Sequence, residues 1–168
     1  METTLNEIRE QSPCTEGWTK LLRTLGKTKA DDEPLSIITI LDSNGLDDAF
    51  WCLRAVKNRN KEIRLYMVWC ARQVQHLMTD QHSLDALDVA ERFANGEATQ
   101  KERATAGTLA GTAAFYVAQG SAGAAAFNAA RAASWANAFE ITEIKWNSEG
   151  IDLETKLREI CVECAEEE

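Results

Sequence analysis

The fold class of this chain is decided by residues 61–78, which read KEIRLYMVWCARQVQHLM. Apolar side chains recur there at intervals of three and four residues, at Ile63, Met67, Cys70, Val74 and Leu77. These intervals match the 3.6-residue period of an α-helix and not the two-residue period of a strand. The segment is therefore predicted to be an amphipathic helix that packs on a core.

Segments on both sides of this helix carry similar apolar patterns, with residue types that start or stop helices between them. Ser12-Pro13 is typical of a helix start and Gly26 of a helix end, and Ser83 is predicted to cap the helix that Asn95-Gly96 ends. The remaining predicted helices cover 13–25, a short stretch from Pro34 to Asn44-Gly45, Leu46–Lys57 before a polar break at 58–60, and Gly150–Glu168.

Two segments are ambiguous between helix and strand. The β-branched run after Pro34 would suit a buried strand, but the Asn44-Gly45 stop favours a short helix. Residues 139–146 alternate in part between polar and apolar types. They are predicted to be helical because the sequence offers no other strand to pair with them.

Residues 104–138 are dominated by alanine, which occupies 16 of these 35 positions. Alanine has the highest helix propensity, and Gly120-Ser121 is predicted to divide the segment into two helices. Small side chains allow helix axes to approach closely, so close packing in a helical array is the simplest interpretation. A flat protein-binding surface is the alternative.

Together these patterns predict an all-α fold, a single-domain array of about seven or eight helices over residues 1–168. A helical body at 12–100 is followed by alanine-rich helices at 101–138 and an acidic C-terminal helical region at 139–168. A chain of 168 residues has the length of one domain. The sequence contains no apolar run of the roughly 18 residues that a membrane span requires.

The net charge of −9 is distributed unevenly along the sequence. Residues 139–168 hold ten acidic and three basic residues, a net charge of −7, which leaves −2 for the first 138 residues. An acidic protein is not expected to bind nucleic acid directly, because such binding needs a basic face. The acidic region is either a solubilising tail or a surface that docks on a basic protein, where carboxylates can also imitate a phosphate backbone.

A six-residue pattern, W-C-x-R-x-V, occurs at Trp51–Val56 and again at Trp69–Val74. In a structural interpretation the tryptophans and valines are core residues, and Arg54 and Arg72 pair with nearby acids such as Asp47, Asp48 or Asp80. In a functional interpretation the two arginines and two tryptophans form one recognition surface, because both residue types are enriched at binding hot spots.

The five cysteines and two histidines form no recognisable catalytic or metal-binding motif. Cys161 and Cys164 make a C-x-x-C, but a structural zinc site normally has a second ligand pair with similar spacing. Both also fall on the apolar face of the predicted C-terminal helix, which favours buried thiols. His76 has no nucleophile beside it in the sequence. We therefore expect no metal, no cofactor and no enzymatic activity.

The expected localisation is the cytoplasm, without a membrane span. Residues Met1–Glu7 lack the basic and apolar regions of a signal peptide. An odd number of cysteines without a secretion signal is typical of reduced thiols in that compartment.

Several of these stretches resemble the immunity proteins of the Imm-5-like type, a family found in phages and other mobile elements. The resemblance covers about residues 14–100. It is carried by GKTKADD at 26–32, ILDSNGLDDA at 40–49, WCLRAV at 51–56, VWCARQV at 68–74 and ALDVAER at 86–92. It implies an all-α intracellular protein that neutralises a toxin or nuclease by binding it. A phage setting equally suits an inhibitor of a host-defence complex, such as an anti-CRISPR or anti-restriction protein.

The predicted function is therefore the binding and inhibition of a partner protein, which is basic or itself binds nucleic acid. The residues predicted to contact the partner are Glu154, Glu159, Glu163 and Glu166, with Arg54 and Arg72 as a second patch. The main alternative is a helical scaffold for protein interactions, including a homodimer formed through the alanine-rich faces. A thiol- or metal-dependent enzyme is the other.

Overall fold

The computed structural model describes residues 1–73, 75–78, 80–119 and 152–166. Its helices and strands are, in chain order, β1 (Glu2–Thr3), α1 (Leu5–Glu10), α2 (Thr15–Thr24), β2 (Leu35–Ser36), α3 (Ile37–Asn44), α4 (Leu46–Cys52), a 3-10 helix (Leu53–Ala55), α5 (Asn60–Gln73), a second 3-10 helix (Gln75–Leu77), α6 (Gln81–Ala94), α7 (Gln100–Gln119) and α8 (Leu153–Glu166). They form two compact units. The first unit is Met1–Arg59 with Asp152–Glu168, and the second unit is Asn60–Ile151.

The predicted all-α fold class is confirmed. Within the described ranges the chain has eight α-helices, two short 3-10 helices and a single pair of two-residue strands. The predicted division at Gly120-Ser121 and the helical assignment of 139–146 fall outside the described residues. The prediction of one domain over residues 1–168 stays a prediction.

The N-terminal helix α1, which the sequence patterns did not predict, is set by a capping box. The Thr4 hydroxyl accepts a hydrogen bond from the Glu7 N–H at 3.1 Å, and the Glu7 carboxylate accepts one from the Thr4 N–H at 2.9 Å. This reciprocal pair satisfies two N–H groups that a helix start leaves open. Leu5 and Ile8 bury the inner face of α1. Six residues with two core positions give too short a pattern for periodicity to detect.

The stretch after Pro34 combines both predicted alternatives. Leu35–Ser36 form β2, which pairs antiparallel with β1 so that Thr3 lies opposite Leu35. The helix α3 begins at the next residue, with Ser36 as its N-cap. At the other end Gly45 has a φ of 97°, which glycine adopts without steric cost. The predicted stop is confirmed.

The predicted start of α2 is wrong by two residues, because Cys14 and not Ser12 is the N-cap. Ser12 has a positive φ of 58°, outside the extended conformation of a capping residue. The Cys14 thiol instead accepts a hydrogen bond from the Gly17 N–H at 3.4 Å. Gly17 also permits a close approach to α3 and α4, because a Cβ there would lie 2.8 Å from Asp48 Oδ2. Its carbonyl accepts from the Asn44 side-chain amide at 2.9 Å.

Two predicted helices are shorter than their patterns indicated. The helix predicted to reach Lys57 ends as α4 at Cys52, continues as a 3-10 helix to Ala55 and turns extended at Val56. The predicted polar break is confirmed at Asn58, which has a φ of 62°. In the same way α5 ends at Gln73, and a 3-10 helix occupies part of the stretch predicted to continue it.

The core of the second unit joins α5, α6 and α7. Ala106 and Ala110 lie one turn apart on α7 and are buried with apolar residues of the two preceding helices. The close-packing interpretation of the alanine row is thus confirmed for this part of α7. The apolar cluster that contains these two alanines consists of Val68, Ala71, Met78, Ala86, Leu87, Ala90, Ala106 and Ala110. The α5 side chains of Ile63, Tyr66, Met67 and Cys70 are also buried.

The start of α6 corrects the predicted cap. Asp80 is the N-cap, and its carboxylate accepts hydrogen bonds from the Ser83 N–H at 2.8 Å and from the Ser83 hydroxyl at 2.7 Å. Ser83 is itself the third residue of α6 and is fully buried. Both residue types are common N-caps, so composition alone could not choose between them. The predicted end at Asn95-Gly96 is confirmed.

Candidate partner-binding surface

The C-terminal helix α8 carries most of the predicted contact residues. Its start is fixed by Asp152, whose carboxylate accepts from the Thr155 N–H at 2.8 Å and the Thr155 hydroxyl at 2.5 Å. These hydrogen bonds lower the pKa of Asp152. The predicted apolar stripe of Leu153, Leu157, Ile160, Cys161 and Cys164 is confirmed at four positions, which are buried, whereas Ile160 is only partly buried. Glu154, Glu159, Val162 and Glu163 are exposed.

Two positive groups hold the C-terminal turns of α8 in the first unit. The amino group of Met1 donates to the Cys161 carbonyl at 3.3 Å, and the Arg59 guanidinium donates to the Cys164 carbonyl at 2.9 Å. Cations are favourable at this end of a helix because its free carbonyls carry the negative end of the dipole. The helix is thereby fixed while its opposite face stays open to solvent.

Three of the predicted acidic residues of α8, Glu154, Glu159 and Glu163, lie on this exposed face. Glu154 accepts a hydrogen bond from Arg158 at 2.8 Å, and Glu159 accepts one from Lys156 at 2.9 Å. Glu163 is exposed and has no ion pair within the described part of the chain. Glu166 lies in the last turn of α8, and its side chain is outside the described residues. The charges of Glu154 and Glu159 are thus partly balanced by their neighbours.

Arg158 also links α8 to α3. Its guanidinium donates to Asp42 Oδ1 at 2.5 Å as well as to Glu154 on its own helix. These hydrogen bonds raise the pKa of Arg158. Asp42 could not be predicted from the sequence, because it stands 116 positions from Arg158 and no local pattern connects the two. One cation shared by two exposed carboxylates leaves a net negative charge at this position.

The acidic excess of the chain lies in the first unit. Met1–Arg59 together with Asp152–Glu168 hold 17 acidic and 10 basic residues, a net charge of −7. Asn60–Ile151 hold 10 acidic and 8 basic residues, a net charge of −2. Residues 1–59 therefore share a compact unit with the acidic C-terminal helix, which their position in the sequence did not indicate.

Arg54 lies in the 3-10 helix after α4 and is held against a tryptophan of the same repeat copy. Its guanidinium carbon is 4.3 Å from the centroid of the Trp51 ring, and its Nε donates to the Trp51 carbonyl at 3.0 Å. This geometry is a cation–π contact within one turn of chain.

Arg72, the equivalent residue of the second copy, is engaged in ion pairs between α5 and α6. Its Nη2 lies 2.9 Å from Asp88 Oδ1 and 2.5 Å from Glu91 Oε2. An arginine paired with acids agrees with the structural interpretation, but its partners are Asp88 and Glu91 and not the named candidates Asp47, Asp48 or Asp80. Arg54 belongs to the first unit and Arg72 to the second. Their common recognition surface stays a prediction.

Three of the five cysteines, Cys52, Cys70 and Cys161, offer little reactive thiolate. Burial raises the pKa of the Cys52 thiol to about 12 and that of the Cys70 thiol to about 12, and it also raises the pKa of Cys161. Cys164 is buried with Cys161 on the core face of α8. Among the described residues, no three His, Cys, Asp or Glu side chains are grouped as metal ligands would be.

Comparisons with known proteins found no relative of this chain. A scan against protein-family models, a search of curated proteins and a search of solved structures each found no match. Among the helices described, none has both the length and the apolar character to cross a membrane.

Proposed function

We propose that this protein is a non-enzymatic, immunity-like inhibitor that binds and neutralises a partner protein. The partner is a toxin, a nuclease or a host-defence complex such as CRISPR or restriction machinery, and it presents a basic surface. The observation that carries the proposal is the net charge of −7 on the first unit, against −2 on the second.

The exposed face of α8 supports this proposal at the level of individual side chains. Glu159 and Glu163 face solvent on a helix whose other side is fixed in the core. A surface with one sign of charge speeds encounter with an oppositely charged partner and disfavours acidic ones. Proteins that act on nucleic acid carry basic surfaces for phosphate, so an acidic protein can occupy the same surface.

The first experiment identifies the partner by its biological effect. The protein is produced in bacterial strains that each carry one defence system or one toxin, and phage plating or survival is measured. We expect protection from one system, with the responsible component co-purifying in a fixed ratio. The dissociation constant of the purified pair is then measured by calorimetry at low and high salt.

The second experiment tests the acidic surface with matched charge reversals. The double variant Glu159→Lys with Glu163→Lys should weaken binding at least about tenfold at low salt, because two attractive charges become repulsive. The double variant Asp85→Lys with Glu97→Lys changes the net charge equally but in the second unit, and should bind as the wild type does. Glu154 is left intact because it holds Arg158. Equal affinity of wild type and the Glu159/Glu163 variant would overturn the proposal.

A further inference from the structure

The described part of the chain exposes two large apolar side chains, Val162 on α8 and Leu109 on α7. The exposed fraction is 50% for Val162 and 43% for Leu109. Isolated apolar residues are normal on protein surfaces, so exposure alone says nothing about binding. The surroundings of the two residues, however, are different.

Val162 is flanked on its helix by charged residues, whereas Leu109 is not. Within four positions of Val162 lie Glu159, Glu163 and Glu166. The one cation in this range, Arg158, is already bonded to Asp42 and Glu154, and Glu159 is paired with Lys156 one turn away, whereas Glu163 has no ion pair in the described residues. The four positions on either side of Leu109 contain only alanine, glycine and threonine. Val162 is thus an apolar point on a negatively charged helix face.

This arrangement corresponds to the usual anatomy of a protein interface, in which an apolar centre is surrounded by a polar rim. Val162 does not belong to the face of α8 that packs in the first unit. That face is the apolar stripe of Leu153, Leu157, Cys161 and Cys164, which is buried. Carboxylates around Val162 would repel a second copy of the same face and attract a basic one.

We propose that Val162 is the apolar anchor of the partner-binding face, and that the partner docks there with an amphipathic, lysine- or arginine-rich helix. The apolar stripe of that helix covers Val162, and its cations meet Glu159 and Glu163. This assignment rests on the proposed function and adds to it the chemistry of the partner segment. Recognition by an apolar stripe and flanking charges is a recurring mode of helix binding.

The test uses the full-length protein and two labelled peptides of equal charge, with binding followed by fluorescence anisotropy. One peptide is an amphipathic helix of lysine and leucine, and the other has serine in place of every leucine. We expect the amphipathic peptide to bind more tightly. Val162→Ser should weaken binding of the amphipathic peptide by about three- to tenfold, the value of burying the exposed half of one valine side chain, and leave the serine peptide unchanged. Leu109→Ser, equally exposed on the second unit, should change neither.

The outcomes separate this inference from the proposed function. If Glu159→Gln with Glu163→Gln weakens both peptides and Val162→Ser weakens neither, acidic docking stands and the Val162 anchor is rejected. If the glutamine variants bind both peptides as the wild type does, the acidic surface fails as well. Sedimentation at several protein concentrations tests whether a second copy of the chain binds this face instead. Self-association that Val162→Ser abolishes would assign this face to a second copy of the chain and overturn the proposal.

Discussion

Glu7 joins three parts of the first unit through one carboxylate. It pairs with Lys57 at 2.8 Å, accepts from the Thr3 hydroxyl at 2.9 Å and closes the capping box of α1 through the Thr4 N–H. Thr3 in turn donates to the Ala55 carbonyl at 3.0 Å. The hydrogen bond with Lys57 is the main reason that the pKa of Glu7 is lowered. Ionised Glu7 therefore stabilises the folded state.

The effect of Glu7 on stability should depend on pH in a defined direction. Because its pKa is lower in the folded chain than in the unfolded chain, its contribution is present above the unfolded pKa and is lost as the pH falls through the folded one. Glu7→Gln should lower the free energy of unfolding at pH 7 by about 1 kcal/mol or less, since the carboxylate is partly exposed. The difference from wild type should narrow as the pH falls below the unfolded pKa of about 4.3 and should close below the lower pKa of the folded state.

Urea unfolding followed by circular dichroism from pH 3 to pH 7 measures this difference. Glu10→Gln, on the exposed side of the same helix, serves as the control and should follow the wild type at every pH. A gap between wild type and Glu7→Gln that stays constant over the range would show that the carboxylate charge is not the cause.

At the scale of elements, the start of α6 gives a prediction that separates two possible caps. Asp80→Ala removes the N-cap and leaves the buried Ser83 hydroxyl without its acceptor. We expect a loss of about 1–2 kcal/mol in the free energy of unfolding. Ser83→Ala removes the buried hydroxyl but keeps the bond between its N–H and Asp80, so the loss should be about 0.5–1 kcal/mol. Thermal or urea unfolding compares the two variants. A larger loss of stability for Ser83→Ala than for Asp80→Ala would indicate that Ser83, and not Asp80, is the N-cap.

The sequence predicted elements better than it predicted their ends. The helices α5 and α8 were found because their apolar residues repeat over several turns, and the predicted stripe of α8 is buried at four of its five positions. Their ends depend on single backbone conformations. A positive φ at Ser12 moves one helix start, and a change to 3-10 geometry after Cys52 shortens another helix. Such conformations depend on packing partners that are distant in the sequence.

The candidate surface was predictable only in part, for the same reason. The acidic residues of α8 could be selected from charge counts and helical spacing. Asp42 could not, because it meets Arg158 only after α3 and α8 pack together. Asp88 and Glu91, the partners of Arg72, lie 16 and 19 positions away and could not be predicted from the repeat pattern either.

At the scale of the whole molecule, the charge distribution predicts that the protein does not bind nucleic acid directly. Binding to DNA depends on cations that are free to replace counterions at phosphates. In the described part of the chain, many basic side chains already have carboxylate partners. These are Lys27, Lys57, Arg72, Arg92, Lys156 and Arg158.

Fluorescence anisotropy with a labelled duplex of about 30 base pairs tests this prediction. We expect no binding at about 50 mM salt and protein concentrations of tens of micromolar, because non-specific DNA binding at low salt is driven by basic surfaces. A basic DNA-binding domain of similar size is the positive control. Binding that weakens with added salt would reveal a cationic face that the net charge does not indicate.

The first unit is built from two pieces of chain, with the whole of Asn60–Ile151 between them. The contacts between the two pieces can form only after α8 has been synthesised. They join Met1 to Cys161, Arg59 to Cys164 and Asp42 to Arg158. During synthesis at about 5–20 residues per second, α1 to α4 therefore leave the ribosome roughly 5–20 seconds before their last helix. Throughout that interval the surface of α3 that α8 will cover is open to solvent.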